Sequence, residues 1–206
     1  MASAIIHLAV AKRVNDVLKQ EEKAFYLGAI APDISKMVGS TRARSHFITN
    51  DGDIPDIGYF LSKYKSQLVN PFELGYYVHL LTDILWFGEF LKNYVNDCTV
   101  TDKEGRCFTL DHDELVNMIY NDYSNMNSKI VDYYGLDFSL FYQEYKFPES
   151  HIEELPSEYF PDLIDKMQKI CCLSSRFSYF FDIENITHFV EYASVYVLDE
   201  LKKVYL

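Results

Sequence analysis

His79 and Asp83 stand four residues apart in the segment PFELGYYVHLLTDILWFGEFLKNYV, so on a helix their side chains leave the same face one turn apart. Leu80, Leu81, Ile84, Leu85 and Trp86 surround them, which turns the pair towards apolar neighbours where an imidazole and a carboxylate need partners. Alone, such a pair reads equally as a satisfied core hydrogen bond or as two metal ligands. His7, between Ile6 and Leu8, lies on the apolar face of its helix and by itself is most simply a core histidine. Asp33 follows GAIAP, where an acid commonly caps the next turn. His46 sits in RARSHFITN, a polar loop or helix start whose plain reading is a surface histidine. Taken together, His7, Asp33, His46, His79 and Asp83 supply three imidazoles and two carboxylates, a nitrogen and oxygen set suited to zinc or a similar divalent ion. Five ligands suffice for two ions. A zinc with three protein ligands and an open position brings the pKa of bound water to about 7, and the lack of cysteine in the set favours this catalytic type over a structural one.

Helices must position these residues. Apolar positions recur at helical spacing over Ile5 to Leu18, over Phe25 to Ile30 and over the long segment opened by Pro71, with Asn70 as its N-cap. The stretch Val95 to Asp111 is rich in turn formers and reads as an excursion with a short hairpin around Lys103 to Gly105. Helices resume over Asp113 to Tyr134, Phe138 to Tyr145, Pro156 to Cys171 with Pro161 as a kink or boundary, and Ile186 to Val204. Without repeat, linker or low-complexity tract, residues 1–206 read as one all-α, multi-helix domain.

The order HLAVAKRV, YLGAIAPDI, SHF and GYYVHLLTDILW resembles the zinc-dependent phospholipase C family, which shares an all-α fold and metal cluster with the single-strand-specific nucleases. The likeness covers roughly the first 90 residues, and its strength lies in the order of the pieces. It implies that Asp33, His46, His79 and Asp83 surround one Zn2+, with Asp83 bridging to a second ion also held by His7. Fully active relatives add an N-terminal Trp and a third zinc; this chain begins MASA, its one Trp is Trp86, and the His that those relatives carry ten residues after His79 is replaced by Glu89. Glu89 is thus an oxygen ligand by position, and a two-ion cluster with an absent or altered third site is the expectation. His112, Asp113, Asp122 and His188 are lesser candidates for contact with metal, and His151 reads as surface. Trp86, three residues beyond Asp83, reads as core packing, and so do the abundant Tyr and Phe.

Composition sets the outer limits. With 49% hydrophobic residues, 8 Gly and 6 Pro the chain is globular. A net charge of −12 excludes a broad basic surface for nucleic acid or anionic membrane. No apolar run reaches the roughly 20 residues of a membrane span, and the apolar start carries no basic residue before it, so a cytoplasmic chain without a signal peptide is expected. The four cysteines, Cys98, Cys107, Cys171 and Cys172, do not form a disulfide framework and read as reduced thiols. The acidic run Glu149 to Glu158 reads as a solvated face. There is no GxxxxGK, GxGxxG or GxSxG motif to support nucleotide or serine-hydrolase chemistry. Two functions remain. One is a metal-dependent hydrolase of a small-molecule or lipid-headgroup phosphoester, diester or monoester, in which hydroxide attacks phosphorus and Asp33 is a ligand or general base. The other is a non-catalytic metal-binding or interaction protein that keeps the fold with a reduced site.

Overall fold

A computed structural model describes residues 2–39, 42–50, 52–96, 99–142, 150–173 and 177–205. Cys98, Tyr145 and Glu149 lie outside them.

The chain is mostly helical. Helix α1 (Ala4–Leu18) is capped by Ser3, whose hydroxyl accepts from the Ile5 amide and donates to Asn127 Oδ1 at 2.7 Å. Helix α2 (Glu22–Ile30) is capped by the Glu21 carboxylate on the amides of Lys23 and Ala24, and it runs into a 3-10 turn at Ala31–Ile34 started by Pro32. Three short helices follow, α3 (Ser35–Val38), α4 (Arg42–Ser45) and α5 (Ile57–Tyr64). Helix α6 (Pro71–Leu85) opens on Pro71 as expected, although Asn70 caps it without a side-chain hydrogen bond. The helix does not continue to Val95 as an α-helix. It widens into a π-turn at Trp86–Phe90 and closes with a 3-10 turn at Leu91–Asn93.

The excursion is a small antiparallel sheet, β1 (Val95–Asn96), β2 (Thr99–Thr101) and β3 (Cys107–Thr109), in that order. Its β2–β3 hairpin turns around Lys103 to Gly105, where Gly105 has φ +79°, the left-handed region that suits glycine. Helix α7 (His112–Tyr134) starts from a capping box between Asp111 and Glu114. After α8 (Ser139–Tyr142), α9 (Phe160–Cys171) carries Pro161 in its first turn, so this proline marks a boundary and not a kink. Helix α10 (Ile183–Tyr205) ends the chain.

Helices α2 and α6 form the tightest contact in the fold, and α1 packs against both and against α7 and α10. Two glycines explain the closeness. A methyl at Gly28 would lie 2.0 Å from the Phe72 carbonyl oxygen, and one at Gly75 would lie 2.0 Å from that of Phe25. Only glycine allows the two backbones to approach in this way. Trp86 is completely buried against Phe90, Tyr123, Phe181 and Phe189 and is a core residue. Among the described residues no helix is long and apolar enough to cross a membrane.

Candidate metal centre

Five side chains from four parts of the chain meet at one point beside the α2–α6 contact. His7 comes from α1, Asp33 from the 3-10 turn after α2, His46 from the residue after α4, and His79 and Asp83 from α6. All five are completely buried, which overturns the plain surface reading of His46. Their ligand atoms form two overlapping triads, His7–His79–Asp83 and Asp33–His46–His79, each with one donor atom per residue within 4.8 Å of the others.

The local structure explains how each side chain is aimed. The close helix contact places the Ala29 carbonyl, in the last turn of α2, beside α6. His79 Nδ1 lies 2.8 Å from that carbonyl and, since a carbonyl only accepts, must carry the proton; Nε2 is then a bare lone pair facing the cluster. His46 is oriented in the same manner. Ser45 Oγ donates to Pro32 O at 3.0 Å, tying the α4 turn to the turn that carries Asp33, while His46 Nδ1 lies 3.2 Å from Arg42 O. His46 Nδ1 also lies 2.9 Å from Ser45 Oγ, and a proton on Nδ1 serves that oxygen or the Arg42 carbonyl and leaves Nε2 bare. Phe47, the next residue, has φ +54°, an uncommon left-handed conformation for a bulky side chain, and reverses the backbone just beyond the ligand. Its ring is buried against Phe60, Tyr64 and Tyr76. Tyr76 also donates a hydrogen bond to the Ser45 carbonyl.

His46 Nε2 and His79 Nε2 face each other at 3.3 Å, both as lone pairs when His46 carries its proton on Nδ1. Two lone pairs at that distance repel unless something positive lies between them. For zinc–nitrogen bonds of 2.0–2.1 Å, the edge of a tetrahedron is about 3.3 Å. In the other tautomer Ser45 Oγ donates to His46 Nδ1 at 2.9 Å and His46 Nε2 donates to His79 Nε2. Asp83 Oδ2 lies 3.7 Å from His46 Nε2 and 3.9 Å from His79 Nε2, whereas Oδ1 turns towards His7 Nε2 at 3.3 Å and the Ala2 amide nitrogen at 3.4 Å. Asp83 therefore faces both halves of the cluster with different oxygens. Asp33 Oδ1 lies 4.0 Å from His46 Nε2. His7 stacks on His79 with ring centroids 3.6 Å apart. Among the described residues, neither His7 nitrogen, neither Asp33 oxygen and not Asp83 Oδ2 has a hydrogen bond of good geometry. So many unsatisfied buried polar atoms in one place are costly without a ligand.

The electrostatics agree. Burial pushes the His46 imidazole down to about 3 and holds His79 well below the ordinary histidine range, with His7 lowering His79 further. Both are neutral and ready to donate lone pairs. Burial alone would raise the two carboxyls, yet Lys36 and then the histidines bring Asp33 to about 2, and contact with His7 holds Asp83 well below its usual range. Lys36 Nζ lies 2.9 Å from Asp33 Oδ1 and Arg42 Nη2 lies 3.7 Å from Asp83 Oδ2. These two cations were not singled out in the sequence. Their signal was spacing, since Lys36 is three residues after Asp33 and Arg42 four before His46.

Glu89 does not join the cluster. It is exposed in the π-turn and accepts a hydrogen bond from Tyr192 at 3.1 Å. The lesser candidates are also elsewhere. His112 and Asp113 are exposed at the start of α7 and His188 is exposed on α10. Asp122 is buried, but its carboxylate accepts from the amides of Tyr179, Phe180 and Phe181 at 2.8, 2.7 and 3.2 Å and serves to anchor that segment. His151 is half exposed and contacts Glu73 at 2.9 Å. Among the described cysteines, Cys107, Cys171 and Cys172 are free thiols remote from these triads. No family model, curated protein or solved structure matches this chain.

Proposed function

We propose that the chain is a divalent-metal-dependent phosphoesterase, with Zn2+ as the preferred ion, of the kind that the resemblance to the zinc-dependent phospholipase C family implies. The observation that carries the reading is the convergence of His46 Nε2 and His79 Nε2 at 3.3 Å beside two carboxylates held in their ionised form. His46, His79, Asp33 and Asp83 would hold one ion, and Asp83 Oδ1 with His7 a second. Such ions supply Lewis-acid stabilisation of phosphoryl oxygens and acidify water.

The protein's own residues have separate tasks. The Ala29 and Arg42 carbonyls fix the tautomers of the two histidines, and carbonyls in this position also make an imidazole a stronger ligand. Asp83 joins the two halves through its two oxygens. Lys36 and Arg42 offset the carboxylate charge and leave the centre receptive to an anionic substrate. Because Lys36 makes Asp33 a weak proton acceptor, Asp33 suits holding an ion and orienting a nucleophile better than acting as general base.

One observation favours the second reading, a metal-binding module without turnover: the whole cluster is buried, with Lys36 and Arg42 already on its carboxylates. The test is hydrolysis of a panel of phosphomonoesters and phosphodiesters by the zinc-loaded chain. Turnover lost on the order of 100-fold or more in Asp83→Asn supports the phosphoesterase; a zinc-loaded wild type inert on the whole panel establishes the second reading.

A further inference from the structure

A cavity of about 160 Å³ adjoins the cluster between α1, α7 and α9, with Asp33 and Lys36 at one end and Lys166 of α9 also on its wall. Most of the remaining lining is apolar, from Tyr120, Tyr123, Leu163, Met167 and Ile170. Asp33, its carboxylate oxygens shut off from solvent, is the cluster residue on the cavity wall, so the cavity abuts the centre.

The two lysines give the cavity its charge. Lys36 is paired with Asp33, whereas Lys166 has no ion pair among the described residues. Partial burial and the nearby Lys36 lower the ammonium of the otherwise exposed Lys166 while Asp33 raises it, so both cavity charges act on Lys166. Two ammonium groups against the single Asp33 carboxylate leave room for an anion, and a dianion satisfies them better than a monoanion. Size narrows the choice further, because an apolar cavity of about 150 Å³ is known to take up benzene. One ring fits inside, and a second ester arm would have to extend out of the cavity.

We infer that the substrate is a phosphate monoester whose organic part is no larger than one six-membered ring, seated among Tyr120, Leu163 and Met167 with its phosphate between Lys36 and Lys166. This inference rests on the phosphoesterase reading for its chemistry, but the pocket itself can be tested by binding alone.

The probe is phenylphosphonate, a dianion that cannot be hydrolysed as an ester, titrated calorimetrically into the full chain with zinc uptake measured on the same samples. Phenylphosphonate is expected to bind at least ten-fold tighter than diphenyl phosphate, and Lys166→Met, whose side chain is on an exposed position of α9, is expected to weaken it at least ten-fold. Ile170→Phe, which narrows the cavity, is expected to weaken phenylphosphonate while leaving methylphosphonate within two-fold. Equal affinity for diphenyl phosphate, or no effect of Lys166→Met, overturns the inference. Zinc uptake without phenylphosphonate binding also overturns it and leaves the metal centre standing. Lys166-dependent binding without zinc uptake supports the pocket and removes the phosphoesterase reading.

Discussion

His46 and His79 are buried, held below the ordinary histidine range by burial, and bring their Nε2 atoms to the same point. Glu89, by contrast, is spent on Tyr192 in the open. Glu89→Ala is therefore expected to leave zinc affinity within about two-fold, whereas Ser45→Ala, which frees His46 Nδ1 to lose its fixed orientation, is expected to weaken it on the order of 10-fold; competition with a chromophoric chelator reads both. At this scale the sequence was informative where residue type conflicted with surroundings. His7 and His79 on apolar faces and Asp33 after an apolar run all reached the centre. What could not be read was orientation, because it depends on carbonyls of Ala29 and Arg42 that any residue would supply. His46 looked like a surface residue because its polar neighbours gave no sign that Ser45 and Tyr76 tie its turn inward. Glu89 came from the family resemblance alone, as the position that is a His in those relatives, and here it lies in the π-turn at Trp86–Phe90, bonded to Tyr192.

The α2–α6 pair is the element on which the site depends, since the same approach that brings Gly75 onto the Phe25 carbonyl brings His79 onto Ala29. Gly75→Ala forces backbone against backbone, where no flexible side chain can yield. The expected cost is about 3 kcal/mol or more, at the upper end for overpacking, measured by urea unfolding. Zinc affinity should fall in the same variant although no ligand has changed; a stable Gly75→Ala protein with unaltered affinity would show that the close contact does not position the site. Both glycines stand alone inside helical patterns, a signal that the chain approaches something closely there, but the sequence does not say that they face each other. Helix existence and order were readable from periodicity over most of the chain. The end of α6 and the three-stranded sheet were read less well, because an amphipathic pattern does not distinguish an α-turn from a π-turn and strands of two or three residues are too short to show alternation.

For the molecule as a whole, a net charge of −12 surrounds a centre whose two carboxylates face Lys36 and Arg42, the latter also paired with Asp53 at 2.9 Å, so the two negative charges of the ligands are offset in part. On the proposed reading each divalent ion would make it locally positive, and an anionic substrate would offset that charge. Acid should undo this fold. His46 and His79 are held below the histidine range in the folded chain, so they bind protons more readily when unfolded. Their contribution is fully present above the ordinary value near 6.5 and is lost as pH falls towards about 3. The depressed carboxyls of Asp33 and Asp83 act in the same direction lower still. In chelator-stripped protein the stability is expected to drop by up to about 1.4 kcal/mol per pH unit for each of the two histidines between pH 6 and 4. A urea midpoint that stays flat over that interval would mean that these imidazoles are not neutral in the fold. The most direct measurement is the zinc count of the chelator-stripped chain after equilibration with Zn2+, together with its thermal midpoint and the same pair of values for His79→Ala. At least one ion per chain is expected, with a rise in midpoint by mass action and with both lost in His79→Ala. Less than one ion per chain, or a His79→Ala protein that keeps its full complement, would contradict the metal centre.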